Sequence, residues 1–290
     1  MLLWDRSAAV SFGPRCRLNE GIKVIGLRIA FEIEKTSESL VPNTGRISIY
    51  NLHPKHWAML ESGERSLAVI LEAGYGGNLE ELFVGDIKKA ALSSEDTKNV
   101  ASVTVTSQGP DTVTIIEAAS GSKAMEAIID KSYAEGTDLK IPAIDLVQTM
   151  RDTGGIMING VLDFLRTGSF APKKAQTGLV LSGSSALHLD NLTGALGLEW
   201  SIQDNDMQMM TAGGKTTEEA VLLTPKTGLI GSPVRREEGI EFTALIQPKI
   251  RPGRAVRIES ARVTGNYRVN KAKFTGDTHD NAWYVTAEAK

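Results

Sequence analysis

Two β-rich stretches, residues 31–52 (FEIEKTSESLVPNTGRISIYNL) and 228–260 (GLIGSPVRREEGIEFTALIQPKIRPGRAVRIES), bracket the chain and constrain its fold more than any other feature. In the first, Leu27, Ile29, Phe31 and Ile33 alternate with Arg28, Glu32 and Glu34. A period of two places one set of side chains on a dry face and the other in water. The alternation breaks at Pro42-Asn43-Thr44-Gly45, a turn signal, and resumes with Ile47 and Ile49, so the segment predicts a hairpin. The second stretch repeats the logic with Ile240 and Phe242, a turn from Pro248 to Gly253, then Val256 and Ile258.

Most of the first hundred residues read the same way. Strands are expected at 66–73, 81–92 and 100–107, with one short helix opened by Pro54 and running to Leu60. Gly74-Tyr75-Gly76-Gly77-Asn78 lacks both the lysine of a phosphate loop and a strand-to-helix setting, so it is expected to be a hairpin tip. Between Ala118 and Gly214 the period changes. Met125, Ile128 and Ile129 predict a helix, as do Ile144, Val147 and Met150, and Val161, Leu162 and Leu165. Ser184 or Ser185 is the expected N-cap of a further helix that Gly197 stops. Beyond it, 198–202 and 206–210 flank the turn Gln203-Asp204-Asn205, and residues 167–178 are turn-rich. From Ala220 onward strands return at 221–224, 240–246, 255–259, 267–275 and 283–288. The two β regions show no evident sequence repeat.

At these residues the chain resembles baseplate hub proteins of contractile-tailed bacteriophages. The run IEKTSESLVPNTGRISIYNL is similar to the first tube-forming domain of that family. The run from GLIGSP to RIES, followed by YRVNKAKFTGDTHDNAWYV, looks like the second. The resemblance implies a mainly β protein with an α/β insertion, in which two β-barrel-like tube domains flank a mixed middle region. The expected division is an N-terminal arm or first strand at 1–19, a first tube domain at 20–117, the insertion at 118–216 and a second tube domain at 217–290. It further implies a homotrimeric hub joining the sixfold tail tube to the threefold central spike. Its partners would be further copies of itself, the tube or tube-initiator protein and the spike, with tape-measure and wedge proteins as further candidates. DNA would only pass through, and the site of action would be the virion baseplate, assembled in host cytoplasm.

Composition is compatible with that and excludes other classes. With 290 residues, 41% hydrophobic and 23% charged, the chain is of ordinary globular type, long enough for two or three domains. The net charge of −3 gives no whole-surface footprint for nucleic acid or an anionic membrane. Residues 217–290 hold 12 Lys and Arg against 9 Asp and Glu, net +3, so the remainder carries −6. Arg251, Arg254, Arg257, Arg262 and Arg268 cluster there, candidates for an inter-subunit or lumen surface, set against a plain solvated strand face. One cysteine, Cys16, rules out an intrachain disulfide and, with no histidine near it in sequence, reads as structural. No apolar run reaches a membrane span and residues 1–14 lack signal-peptide features, so neither insertion nor Sec export is expected.

No catalytic constellation passes the spacing test, and no cofactor is expected. His53 and His56 could place two imidazoles on one helical face, but two ligands are too few for zinc. Asp277-Thr278-His279-Asp280 reads as a turn between strands, and Asp204-Asn205-Asp206 lacks the glycine and distal glutamate of a calcium loop. The adjacent acids Glu80-Glu81, Glu218-Glu219 and Glu237-Glu238 would point to opposite strand faces. Gly183-Ser184-Ser185 is not a nucleophile elbow, and aromatic residues, 6% of the chain, are not interleaved with the basic cluster. The alternatives to a hub are a tail-associated peptidoglycan hydrolase and the hub part of a bacterial contractile secretion spike.

Overall fold

The structure is a computed structural model and describes residues 5–14, 21–61, 67–94, 112–168, 170 and 173–290. The expected strand at 100–107, Cys16, residues 1–4 of the N-terminal arm and part of the turn-rich 167–178 segment lie outside the described residues. The chain is mostly β and the sheets are built almost wholly of antiparallel pairs. It divides into two compact units, one comprising Met1–Lys35, Thr44–Ala119 and Glu219–Lys290, the other Thr36–Asn43 and Ser120–Glu218.

The first unit holds β1 (Arg6–Pro14), β2 (Ile22–Ile25), β3 (Ile29–Thr36), β4 (Thr44–Tyr50), α1 (Pro54–Glu61), β5 (Leu67–Tyr75), β6 (Asn78–Ser94) and β7 (Thr112–Ala119). The second unit contributes, in chain order, α2 (Ser122–Met125), β8 (Ile128–Tyr133), α3 (Lys140–Gly154), α4 (Val161–Thr167), β9 (Leu179–Ser184), α5 (Ser185–Leu196), β10 (Leu198–Gln203) and β11 (Asp206–Thr211). The chain then returns to the first unit with β12 (Val221–Leu223), β13 (Leu229–Arg236), β14 (Gly239–Leu245), β15 (Ala255–Glu259), β16 (Thr264–Asp277) and β17 (Trp283–Ala289).

In the first unit the strands form one sheet whose path runs β13-β14-β17-β16-β3-β4-β7-β6-β5-β1-β2, with β15 on β16 and β12 on β15. Among the described residues this path is open, with β13 and β2 at its ends, and no closed barrel is found. The expected β3–β4 hairpin is present, and β3 alternates buried and open positions along its length. Its turn comes earlier than expected, because Thr44 and Gly45 already pair with Glu34 and Ile33. The second anticipated hairpin does not form. β14 pairs with β13 and β17, and β15 with β12 and β16, so proximity in sequence is overridden by distant partners. β13 was not anticipated as a strand, since Gly231 and Pro233 interrupt its alternation. Gly76 and Gly77, at φ 57° and 79°, make the tight turn that joins β5 to β6.

The same strand order occurs twice in this sheet. Read in sequence, β3-β4-β7-β6-β5-β1 and β13-β14-β17-β16-β15-β12 follow one pattern, apart from β1 running antiparallel to β5 where β12 runs parallel to β15. Each half has one long strand that changes partner midway. β6 pairs with β5 up to Asp86 and with β7 from there on; β16 pairs with β15 up to Arg268 and with β17 from Val269. Each long strand carries a bulge just after the exchange, between Ile87 and Lys89 in one and Val269 and Lys271 in the other. Immediately beyond it, Lys89 faces Glu117 and Lys271 faces Glu288. A bulge bends its strand and raises local twist, so both halves bend at equivalent points. This register also exposes a short sequence repeat, Ala68-Val69-Ile70-Leu71-Glu72 against Ala255-Val256-Arg257-Ile258-Glu259, in which Ala, Val and Leu or Ile are buried in both copies. It was not recognised from sequence. One core serves the unit, with Phe12, Phe83, Phe242, Phe274 and Trp283 among its largest fully buried side chains.

The second unit has its own core around α3, α5 and β10, including Leu146, Met150, Leu189 and Trp200. Met125, Ile128 and Ile129 do not share a helix as expected. α2 ends at Met125, and Ile128 opens β8 with its side chain 73% exposed while Ile129 is buried. α5 is capped as anticipated, with the Ser184 hydroxyl accepting from Leu187 N and Gly197 left-handed at its end. The β10–β11 turn is made by Asp204 and Asn205, both at positive φ. A buried amide network ties Thr36–Asn43 into this unit. Asn43 Nδ2 donates to Gln203 Oε1 at 2.7 Å and to Ile202 O, Asn43 Oδ1 accepts from Thr36 N, and Gln203 Nε2 donates to Thr36 O. Ser120 Oγ accepts from Asn205 N, and Asn205 Oδ1 from Gly121 N.

Candidate assembly interface

The two halves of the first unit meet where β3 lies beside β16. Ile29 O accepts from Thr278 N and Ile29 N donates to Thr278 Oγ1, each at 3.0 Å. Further along, Lys273 Nζ ion-pairs with Glu32 and, at 3.0 Å, with Glu34. Ile29 thus meets Thr278 while Glu34 meets Lys273, so the two strands run in opposite directions. The polar face of β3, read from sequence as merely solvated, is matched to its neighbour. The carboxylates of Glu32 and Glu34 raise the Lys273 pKa.

At the start of this joint Arg28 Nη2 donates to Asp277 Oδ2 at 2.9 Å, and Arg28 Nε reaches both carboxylate oxygens at 3.2 and 3.3 Å. The same guanidinium sits 4.3 Å from the centre of the Tyr50 ring. Burial alone would raise the Asp277 pKa, yet the hydrogen bonds from Arg28 and from the His279 backbone outweigh it and hold the carboxyl below its ordinary value. Below this pair Phe31 packs edge-on against Trp283, ring centres 5.5 Å apart, and covers Gly276. A Cβ at Gly276 would lie 2.3 Å from Phe31 Cζ. The Asp277–Asp280 turn expected from sequence is therefore also a clasp. Its partner residues were not identified as functional, because Arg28 and Asp277 are 249 positions apart and neither belongs to a recognisable motif.

The five arginines do not gather at one spot but spread along the β15–β16 hairpin. Arg251, Arg254 and Arg268 lie at its base, where Arg254 donates to Glu219 O and Val269 N to Arg254 O. Arg257 projects from β15 and pairs with Glu259 at 2.7 Å, and Arg262 is exposed at the tip. At the far end of the sheet path β13 is an edge strand with Ile230 and Val234 43% and 50% exposed. Long exposed edge strands invite pairing with another chain.

Of the remaining candidates, His279 belongs to the clasp through its backbone N–H to Asp277, whereas His53 and His56 lie elsewhere. His53 and His56 bracket the start of α1 with ring centres 5.6 Å apart, and His279 bonds Thr278. Among the described residues no group of three or more His, Cys, Asp or Glu could hold a metal ion. A cleft lined by Tyr75, Asn78, Glu80, Gln247 and Lys249 lies beside the β5–β6 turn, where burial pushes the Tyr75 hydroxyl up to about 12. No described helix is long and apolar enough to cross a membrane.

A family model described as baseplate hub gp41 matches residues 25–289. No curated protein matches the sequence. Among solved structures, the fold is similar to the 43 kDa tail protein of prophage MuSo2 from Shewanella oneidensis, at 9% identity and TM-score 0.60 over 99% of this chain and 98% of that one. It is likewise similar to the tail protein from Neisseria meningitidis MC58, at 8% identity and TM-score 0.56 over 99% and 96%. A third match is the E. coli c3393 protein, described as a type VI secretion component with structural similarity to T4 tail proteins gp27 and gp5. There the identity is 11% and the TM-score 0.58 over 90% of this chain and 73% of that one. At such identities the likeness speaks to fold alone.

Proposed function

Because the chain belongs to the baseplate hub gp41 family, and with it to the structural proteins of a phage tail, we propose that it acts as a trimeric symmetry adapter between a sixfold tail tube and a threefold spike. The observation that carries this reading is the recurrence of one strand order, with one bend and one Lys–Glu pair, in both halves of the first unit. Three chains with two like halves each present six near-equivalent units on one side while keeping threefold contacts on the other. The halves serve as two barrel-like tube domains, residues 20–117 and 217–290, and the insertion at 118–216 reaches neighbouring baseplate proteins. The exposed Arg257 and Arg262, with Arg251, Arg254 and Arg268, line a subunit or lumen surface, and DNA passes through without being read.

In this role the protein needs no catalytic centre. Peptidoglycan zymography of the purified chain is expected to show no clearing, and clearing lost on changing Glu218 or Glu237 would install the hydrolase reading instead. The experiment that tests the hub is light scattering joined to electron microscopy of the purified protein, alone and with its spike. Trimers seen as rings of six lobes support it; monomers at every concentration, spike present, overturn it. A hub of a contractile secretion spike is the second reading, favoured by the fold likeness to the E. coli secretion component. Sheath, tube and tape-measure genes beside this one, against a secretion cluster, separate the two.

A further inference from the structure

The internal repeat assigns a specific contact between copies, on the premise that the chain forms the ring proposed above. Within one chain, the bent strand of the second half, β16, carries on its outer side the first strand of the first half, β3. In a ring of six near-equivalent units the next joint must repeat that one with the halves exchanged. The counterpart of β16 is β6, and the counterpart of β3 is β13. We propose that β13 of one copy docks edge to edge on β6 of the next, between Ile87 and Ser94, three such joints alternating with the three internal ones to close the ring.

The register fixes which residues meet. Matching the bulges sets Lys89 on Lys271, and therefore Ala91 on Lys273. Glu32 pairs with Arg46 in its hairpin as Val234 pairs with Glu241 in the other, and Arg46 and Glu241 are themselves counterparts through their partners on β7 and β17. Val234 thus stands where Glu32 stands. The internal joint sets Glu32 against Lys273, and the proposed one sets Val234 against Ala91, so a charged pair is replaced on both sides at once by an apolar pair. Matched exchange of this kind is what a contact requires, since a lone charge facing an apolar partner would lose its hydration without recompense. It also accounts for Val234 being half exposed on an edge strand in the single chain. The contact is head to tail, and on the ring premise six such turns, three inside the chains and three between them, complete the circle.

Two sets of variants test this in the full-length chain. In a Cys16→Ser background, Val234→Cys combined with Ala91→Cys is expected to give covalent dimers and trimers under mild oxidation, with neither single variant giving the trimer. A double variant that is trimeric by light scattering but yields no cross-linked trimer overturns the docking and leaves the hub reading standing. A wild-type chain that stays monomeric with spike present removes the hub reading, and the docking with it. The second set is independent of cysteine geometry. Val234→Glu should weaken the trimer roughly tenfold or more, with the circular dichroism of the folded chain unchanged. Adding Ala91→Lys should restore it by recreating the Glu32–Lys273 pair. Folded Val234→Glu protein with undiminished trimer, or a double variant with no recovery, also overturns the docking.

Discussion

Arg28 and Asp277, 249 positions apart, form a forked ion pair at 2.9–3.3 Å that joins the residue just before β3 to the end of β16, the bent strand of the other half. Asp277 is nearly buried and Arg28 is partly covered by the Tyr50 ring. Removing one partner leaves the other poorly solvated, which makes the pair a sensitive point.

Asp277→Asn is expected to lower stability by about 1–3 kcal/mol at neutral pH. The folded-state pKa of Asp277 is depressed, so the pair contributes fully above the unfolded-state value of about 4 and is lost as pH falls through the folded-state value. Thermal melts of wild type and variant should therefore converge on going from pH 7 toward pH 3. A gap that stays constant with pH would contradict the assignment.

Gly276→Ala should destabilise by about 1–3 kcal/mol through overpacking. The added methyl would lie 2.3 Å from Phe31 Cζ, and that ring cannot swing away because it is buried against Trp283. Urea denaturation measures the loss, and Gly276→Ala in a Phe31→Leu background should lose less.

In the second unit, Asn43→Ala removes an acceptor for Thr36 N and donors to Ile202 O and Gln203 Oε1. A cost of about 2–3 kcal/mol follows from leaving buried polar groups unpaired. Limited proteolysis should then cut first within residues 36–43, where wild type resists.

Ser184→Ala deletes the hydroxyl that accepts from Leu187 N at the start of α5, and about 1 kcal/mol should be lost. Ser184→Asp should recover most of it, as read by the midpoint of denaturation.

What the sequence revealed and what it hid divide along the range of the interactions. α5 is legible because its cap, its apolar face and Gly197 are all local, and β3 and β4 because one dry face imposes a strict period of two. β8 was misread because Ile128 and Ile129 fall at helical spacing from Met125, and only the pairing of β8 with β9 decides the matter. β13 was missed because Gly231 and Pro233 break its alternation, a feature an edge strand tolerates. The repeat escaped notice because it survives in a few buried positions of β5 and β15, and it becomes visible only after the bulges are aligned. The arginine group was visible as a run of charge, whereas the Arg28–Asp277 clasp rests on tertiary contact alone.

The amide network at the two ends of Thr36–Asn43 contains no ionisable group, although between them the Ser39 hydroxyl donates to Asp190. Thr36, Asn43, Ser120, Gln203 and Asn205 bond only through hydroxyls, amides and backbone. Brine cannot screen them and acid cannot titrate them. In concentrated salt or in acid the charged joint of the first unit would therefore soften while this amide network kept its grip.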